Sequence, residues 1–214
     1  QAFGRLWHEG LAYNITKNLP KQMSHILKSY ISGRQFRVRY GEAYSGLKDI
    51  AAGVPQGSVL GPVLYLLYTS DIPMSVEVTT ATFADDTALL ATSNEIQTAT
   101  NKLQAAVNNV TIWTKKWRIK LNETKSTHIN FTNKRINYLL VVINQQIIPY
   151  ANTAKYLGMT LDAKLRWKEH IKKKREELCI RFRKMWWLIG RHSELSLHNK
   201  LLLYKPIWTY GVQL

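Results

Sequence analysis

The 214-residue sequence predicts an α+β fold. Three observations lead there. Long runs place apolar residues at helical spacing, while shorter β-prone runs turn back on themselves as hairpins. The composition, 45% hydrophobic and 11% aromatic, is rich enough for a core of one large domain, or one domain and a lobe.

The elements follow in order. Residues 5–32 read as helix with turn punctuation at 18–20, and Met23, Ile26, Leu27, Tyr30 and Ile31 recur at helical spacing. In "SGRQFRVRYG", Gln35, Arg37 and Arg39 alternate with Phe36, Val38 and Tyr40, the period of a strand. Its polar edge, with Arg34, is either a solvated edge blunted by charge or a phosphate contact. "GVPQGSVLGPVLYLLY" reads as a tight loop feeding a buried helix over 58–68. Ser58 is the expected N-cap and Pro62 lies in the first turn. "TTATFADDTALLAT" reads as two strands joined by a two-residue reversal at Asp85 and Asp86.

A helix is expected from 93 to 116, with Ile96, Ala99, Leu103, Ala106, Val107, Val110 and Trp113 as its apolar stripe. "WRIKLNETKSTHINFT" reads as short strands about a turn at 122–124, "YLLVVINQQIIPY" as a strand pair about 144–146, and "AKYLGMTL" as strand and turn. From Lys164 to Lys205 there are 13 Lys+Arg against 4 Asp+Glu. Trp167, Ile171, Leu178, Phe182 and Met185 are the expected core positions of a helix there. Its basic positions, Lys172, Lys173, Lys174 and Arg175 with Arg181, Arg183 and Lys184, suit a phosphate backbone.

The charge balance, 30 Lys+Arg to 14 Asp+Glu, gives a net +16 and favours a polyanionic partner, nucleic acid before a membrane surface. A single cysteine, Cys179, excludes an intrachain disulfide and a Cys-rich zinc site, and a packed thiol is expected there. With no signal peptide and no apolar run of bilayer length, a reducing compartment is expected, nucleus or cytoplasm, not secretion and not a membrane. The chain opens at Gln1 within structured-looking sequence and reads as a piece of something longer.

Asp85 and Asp86 stand among Phe83, Ala84, Ala88, Leu89 and Leu90, residues that favour burial. A plain hairpin tip accounts for one polar turn but not for two adjacent carboxylates. Carboxylates fixed on a strand turn suit hard divalent cations, chiefly Mg2+. Two such metals about 3.5–4 Å apart clamp the oxygens of a phosphoryl transfer, usually with a third carboxylate.

The order of the blocks "AGVPQGSVLGPVLYLLYTSDIP", "TATFADDTALL", "KWRIKLNETKS", "KYLGMTLDAKLRWKEHI" and "KPIWTYGVQL" resembles the reverse transcriptase domain of LINE-type (non-LTR) retrotransposons, in particular the jockey-like group of arthropods. The resemblance runs over essentially the whole chain. It implies a right-hand polymerase: residues 1–150 as part of the palm, an antiparallel sheet with helices on one face, and 151–214 as primer grip and start of a basic helical thumb, with the fingers largely missing.

By the same resemblance Asp85 is a metal ligand with Asp86 beside it, and Gln56 and Gly57 of "PQG" lie over nucleotide and template. Phe3 is the gate against a ribose 2′-OH, and Lys125 of "NETKS" is the proton donor to pyrophosphate. Tyr156, Leu157 and Gly158 grip the primer. The implied cofactor is Mg2+, with Mn2+ as substitute. The implied partners are an RNA template, a DNA primer and deoxynucleoside triphosphates, with an endonuclease domain upstream in the full element. One further catalytic Asp belongs five residues before the gate, ahead of Gln1. Glu9, Asp49 and Asp71 do not hold that position, and "QAFG" stands where the family reads "KAFD". The chain alone is therefore expected to be inactive. Two other readings stay open: a non-catalytic nucleic-acid-binding relic, and an unrelated Mg2+-dependent phosphoryl-transfer enzyme.

Overall fold

The structure, a computed structural model, describes residues 3–55, 57–134 and 139–209. The chain forms two compact units. One comprises residues 1–125 and 139–148, and the other 126–138 and 149–214.

The first unit begins with a 3-10 turn, Phe3–Arg5, then helices α1 (His8–Asn18) and α2 (Lys21–Ile31). Pro20 cannot continue α1 and caps α2, so the chain turns where the punctuation at 18–20 placed it. Strands β1 (Gln35–Phe36) and β4 (Lys48–Asp49) pair antiparallel, and so do β2 (Arg39–Tyr40) and β3 (Ala43–Tyr44). Gln35 faces Asp49 and Arg39 faces Tyr44, so the two ladders differ by one residue in register. A bulge of 45–47 absorbs the difference.

Helix α3 (Leu60–Tyr68) starts two residues later than the expected 58. The Ser58 hydroxyl still accepts the Leu60 N–H at 3.2 Å, so the residue acts at this terminus without being the N-cap. Hairpin strands β5 (Val78–Phe83) and β6 (Asp86–Ala91) follow, then α4 (Ile96–Lys116). Ala106, Val107, Val110 and Trp113 of the expected stripe are buried. The unit closes with β7 (Val142–Ile143) and β8 (Gln146–Ile147) about a turn at Asn144 and Gln145, both at positive φ. Gln104 of α4 serves as an artificial strand partner here. Its side-chain amide donates to the Val142 carbonyl at 2.9 Å and accepts the Val142 N–H at 2.8 Å.

The core gathers Leu6, Leu11, Ile15, Leu27, Ile31, Val54, Leu64, Tyr68, Trp113 and Trp117. Its polar groups are satisfied internally, as burial demands. Asn14 donates to the carbonyls of Leu67 and Tyr68 at 3.1 and 3.3 Å, and the Tyr68 hydroxyl donates to the Trp117 carbonyl.

In the second unit β9 (Thr153–Tyr156) and β10 (Met159–Asp162) form a hairpin over Leu157 and Gly158, both left-handed. Helices α5 (Lys168–Lys184), α6 (Trp186–Ile189) and α7 (Leu197–Thr209) complete it. Buried His170 locks α5 to β10 by accepting the Thr160 N–H on Nδ1 at 3.1 Å.

The α+β class holds, with several differences in detail. The strands of the described residues form five separate two-stranded ladders rather than one larger antiparallel sheet. No strand forms over the described part of "WRIKLNETKSTHINFT"; only His128 bridges, to Tyr150. There the turn is closed instead by Asn122, whose carbonyl and Oδ1 both accept the Lys125 N–H at 3.2 Å. Cys179 is exposed rather than packed, because its neighbour Leu178 takes the buried position on α5. Ile171, expected in that core, is 62% exposed. Among the described residues no helix is long and apolar enough to cross a membrane.

Candidate active site

The β5–β6 ladder fixes where the acid doublet sits. Phe83 pairs with Asp86, so the two-residue reversal is Ala84 and Asp85, with Ala84 at φ 50. The expected reversal at Asp85 and Asp86 is thus displaced by one residue. A two-residue hairpin loop needs left-handed backbone, and Ala84 supplies it. Asp85 is the second loop residue and Asp86 the first residue of β6.

Pleat alternation divides the hairpin into two faces. Val78, Thr80, Leu89 and Ala91 share the face that is buried or half-buried, on the side where α4 packs. Phe83, Asp86, Ala81 and Leu90 share the other, which is exposed, with Phe83 at 62%. Burial of Phe83, Ala84 and Leu90 was the expectation from their apolar character. The ladder puts Phe83 and Leu90 on the open face and Ala84 in the loop, while Ala88 and Leu89 are half-buried.

Asp85 acts on Tyr65 of α3. The Tyr65 hydroxyl is held above its ordinary pKa first by burial, then by the Asp85 carboxylate, then by Tyr68. Tyr65 in turn packs on Phe3, with ring centroids 5.0 Å apart and planes tilted by 49°. Phe3 is tied to the loop before α3: its carbonyl accepts the Val54 N–H at 2.8 Å, and the Leu6 carbonyl accepts the Gly53 N–H at 2.8 Å. His8 Nε2 donates to the Gly53 carbonyl at 2.7 Å. A Cβ on Gly53, at φ +89, would stand 2.8 Å from the backbone carbon and oxygen of Gly4. This junction therefore needs glycine at 53.

The structure thus brings Asp85, Tyr65 and Phe3 into one neighbourhood, with the 53–55 segment bonded to Phe3. Tyr65 was missed from sequence. Its signal was a phenol inside an otherwise apolar helix, a polar group that burial must accommodate. Gly57 lies in an exposed turn ahead of α3, and Gln56 falls outside the described residues. Lys125 is exposed on the 122–125 turn of the first unit. Tyr156, Leu157, Gly158 and the basic residues Lys172, Lys173, Lys174 and Arg175 belong to the second unit. Leu157 tips its hairpin and is 44% exposed. Lys172, Lys173 and Arg175 are exposed, while half-buried Lys174 pairs with Glu177 at 3.4 Å.

Asp85 and Asp86 form no ion pair among the described residues, so their charges are available to a cation. Two adjacent carboxylates are hard oxygen donors, the right chemistry for Mg2+. No cluster of three metal-ligating side chains exists among the described residues. The other acids named from the sequence are engaged elsewhere. Glu9 accepts the Trp7 indole at 3.1 Å and Asp49 accepts Gln35 Nε2 at 2.8 Å. Asp71 accepts Trp113 Nε1 at 2.9 Å and Trp117 Nε1 at 3.1 Å, which makes it a brace for two core indoles.

Residues 1–161 match the family model described as reverse transcriptase (RNA-dependent DNA polymerase). The chain belongs to the reverse transcriptase family. This reverse transcriptase chain is 40% identical over 223 residues to the "Probable RNA-directed DNA polymerase from transposon X-element" of Drosophila melanogaster, a match covering 100% of the chain and 25% of that protein. It is 38% identical over 225 residues to the "RNA-directed DNA polymerase from mobile element jockey" of the same species, again over 100% of the chain and 25% of the relative. The jockey counterpart of Drosophila funebris is 39% identical over 220 residues, 99% of the chain and 24% of the relative. The chain spans about a quarter of the length of these curated relatives. The expected kinship with jockey-like non-LTR elements is borne out by these matches.

Proposed function

We propose that this chain is part of an RNA-directed DNA polymerase of a jockey-like retrotransposon, one that extends a DNA 3′-OH on an RNA template. The observation that carries the reading is the placement of Asp85 on a tight β-turn, its charge acting on Tyr65, whose ring rests on Phe3. A carboxylate whose charge reaches a half-buried phenol, itself packed on an aromatic ring, suits a triphosphate, a sugar and a base. Asp85 and Asp86 are the residues that hold Mg2+, which supplies charge neutralisation at the phosphates undergoing transfer. Phe3 stands against the sugar, and Gln56 and Gly57 against nucleotide and template. Lys125, an exposed ammonium, gives its proton to departing pyrophosphate.

The first unit serves as palm. In the second, Tyr156, Leu157 and Gly158 position the primer, and Lys172, Lys173, Lys174 and Arg175 track the duplex backbone. Work in the nucleus or cytoplasm on nucleic acid accords with the net +16 charge.

The test is RNA-templated primer extension with Mg2+, using the longer element protein that contains this chain, wild type against Asp85→Asn. Loss of extension on the order of a hundredfold or more is expected. Full activity in Asp85→Asn sinks the reading. Salt-dependent binding without extension in either protein leaves nucleic-acid binding without chemistry.

A further inference from the structure

The segment that leads into α3 is held at both ends. At Gly53 and Val54 it is bonded to Leu6, Phe3 and His8. At Ser58 it is held from α2: the Tyr30 hydroxyl donates to Ser58 Oγ at 2.7 Å, across 28 positions of chain. Tyr30 is half-buried, and its ring packs against the core to which Leu27 and Ile31 of the same helix belong. A plain ring would fill that place equally well. The phenol oxygen needs a partner there, and it finds one in the loop.

Ser58 gathers the turn. Its Oγ accepts the Leu60 N–H at 3.2 Å, its carbonyl accepts the Gly61 N–H at 3.1 Å, and its own N–H reaches the Pro55 carbonyl at 3.4 Å. That carbonyl would also stand 3.1 Å from a Cβ on Gly61, so α3 abuts the turn closely. Ahead of Ser58, Gly57 is exposed, at φ +85, with nothing within 4 Å of its Cβ position. Glycine permits that backbone but does not fix it. The 3.4 Å bond is a long one, so the turn holds itself weakly. Tyr30 supplies an anchor from a regular helix.

We propose that Tyr30 is a positioning residue: through Ser58 it holds the turn at Gly57 in the form that meets the incoming nucleotide. The inference rests on the polymerase reading for what Gly57 faces. A turn fixed before binding spares the complex the entropy of ordering it. Removing the tether therefore weakens nucleotide binding and leaves the chemical step, carried by other residues, in place.

The test uses the longer element protein that contains this chain, as wild type, Tyr30→Phe, Ser58→Ala and the double variant. Hydrogen exchange is followed by mass spectrometry on peptides spanning 58–61, without metal or nucleotide. Tyr30→Phe is expected to speed exchange there about fivefold, the worth of one neutral hydrogen bond, with α1 and α4 unchanged. RNA-templated primer extension is then measured across deoxynucleotide concentration. Tyr30→Phe is expected to raise KM about fivefold with kcat kept within about twofold. A residue that only supports the fold would lower the active fraction, and so kcat, at unchanged KM. The double variant is expected to be no worse than Ser58→Ala, because both changes remove the same bond. Unchanged exchange at 58–61 overturns the inference. So does an unchanged KM in active Tyr30→Phe, or additive losses in the double variant. Wild type that does not extend sinks the polymerase reading and the nucleotide role with it, while the exchange comparison still decides the tether.

Discussion

Phe3 and Tyr65 meet with ring centroids 5.0 Å apart, and the ring that Phe3 touches is the one whose hydroxyl the Asp85 carboxylate disfavours from ionising. Removing the carboxylate charge therefore has a readout independent of any catalysis. In Asp85→Asn the Tyr65 hydroxyl should ionise at lower pH, while burial, the larger cause, keeps it above the ordinary 10.0. Tyrosinate absorbance, with Tyr65→Phe to assign the signal, measures this. No change in the Tyr65 titration on neutralising Asp85 would place the carboxylate too far away to share a site with it.

The Asp71 brace gives a second prediction. Its two oxygens accept one indole N–H each, from Trp113 and Trp117, which are 9% and 3% exposed. Asn in its place keeps one acceptor and turns a donor toward the other indole, leaving a part-buried N–H without its carboxylate partner. Asp71→Asn should cost about 1 kcal/mol, read from the urea midpoint at unchanged slope. Tryptophan fluorescence of the native state should shift as well. If Asp71 were instead free to serve as a metal ligand, neither change would follow.

Much of this was legible in the letters because helical periodicity and Gly/Pro punctuation report local backbone demands. The α4 stripe and the break at Pro20 follow from periods and missing N–H groups that no tertiary contact overrides. The position of Asp85 in its turn was off by one, because the sequence allows either reversal; the cross-strand pairing of Phe83 with Asp86 selects between them. Asp71 as a brace was illegible because its partners lie 42 and 46 residues away, beyond any local pattern. Tyr65 was hidden for the same reason: Phe3 and Asp85 reach it from opposite sides in sequence.

Gly53→Ala should be damaging to the chain's first unit. The added carbon would sit 2.8 Å from Gly4 backbone atoms that cannot yield, and φ +89 is strained for any side chain. A cost of about 2–4 kcal/mol is expected from clash and strain together. Gly46→Ala is the control: nothing lies within 4 Å of its Cβ position. Its effect should stay within about 0.5 kcal/mol. Equal midpoints for the two variants in denaturant would show that the Gly4–Gly53 approach is not needed by the fold.

Acid sensitivity should come in two separate windows. Buried His128 has its pKa lowered, first by desolvation, with Asn130 opposing. The unfolded chain therefore protonates it first. The stability it contributes is present above the unfolded value, 6.5, and declines as pH falls below it. Asp162 acts lower. Its carboxylate accepts the N–H groups of Lys164 and Arg166, both at 3.1 Å, and of Trp167 at 2.8 Å, immediately before α5. These bonds, that of Arg166 first, hold its pKa below the ordinary 3.8. Its contribution is thus complete above that value and is lost as pH falls through the lowered folded one. Asp162→Asn can accept with one oxygen only, so the left-handed turn at Trp167 loses support and the variant should melt below wild type at neutral pH. The difference should shrink in strong acid, where wild type loses its carboxylate too. His128→Gln should remove the upper window and leave the lower one. Melting followed by circular dichroism across this pH range separates the two, and an Asp162→Asn profile parallel to wild type down to strong acid would remove Asp162 as the clamp on the start of α5.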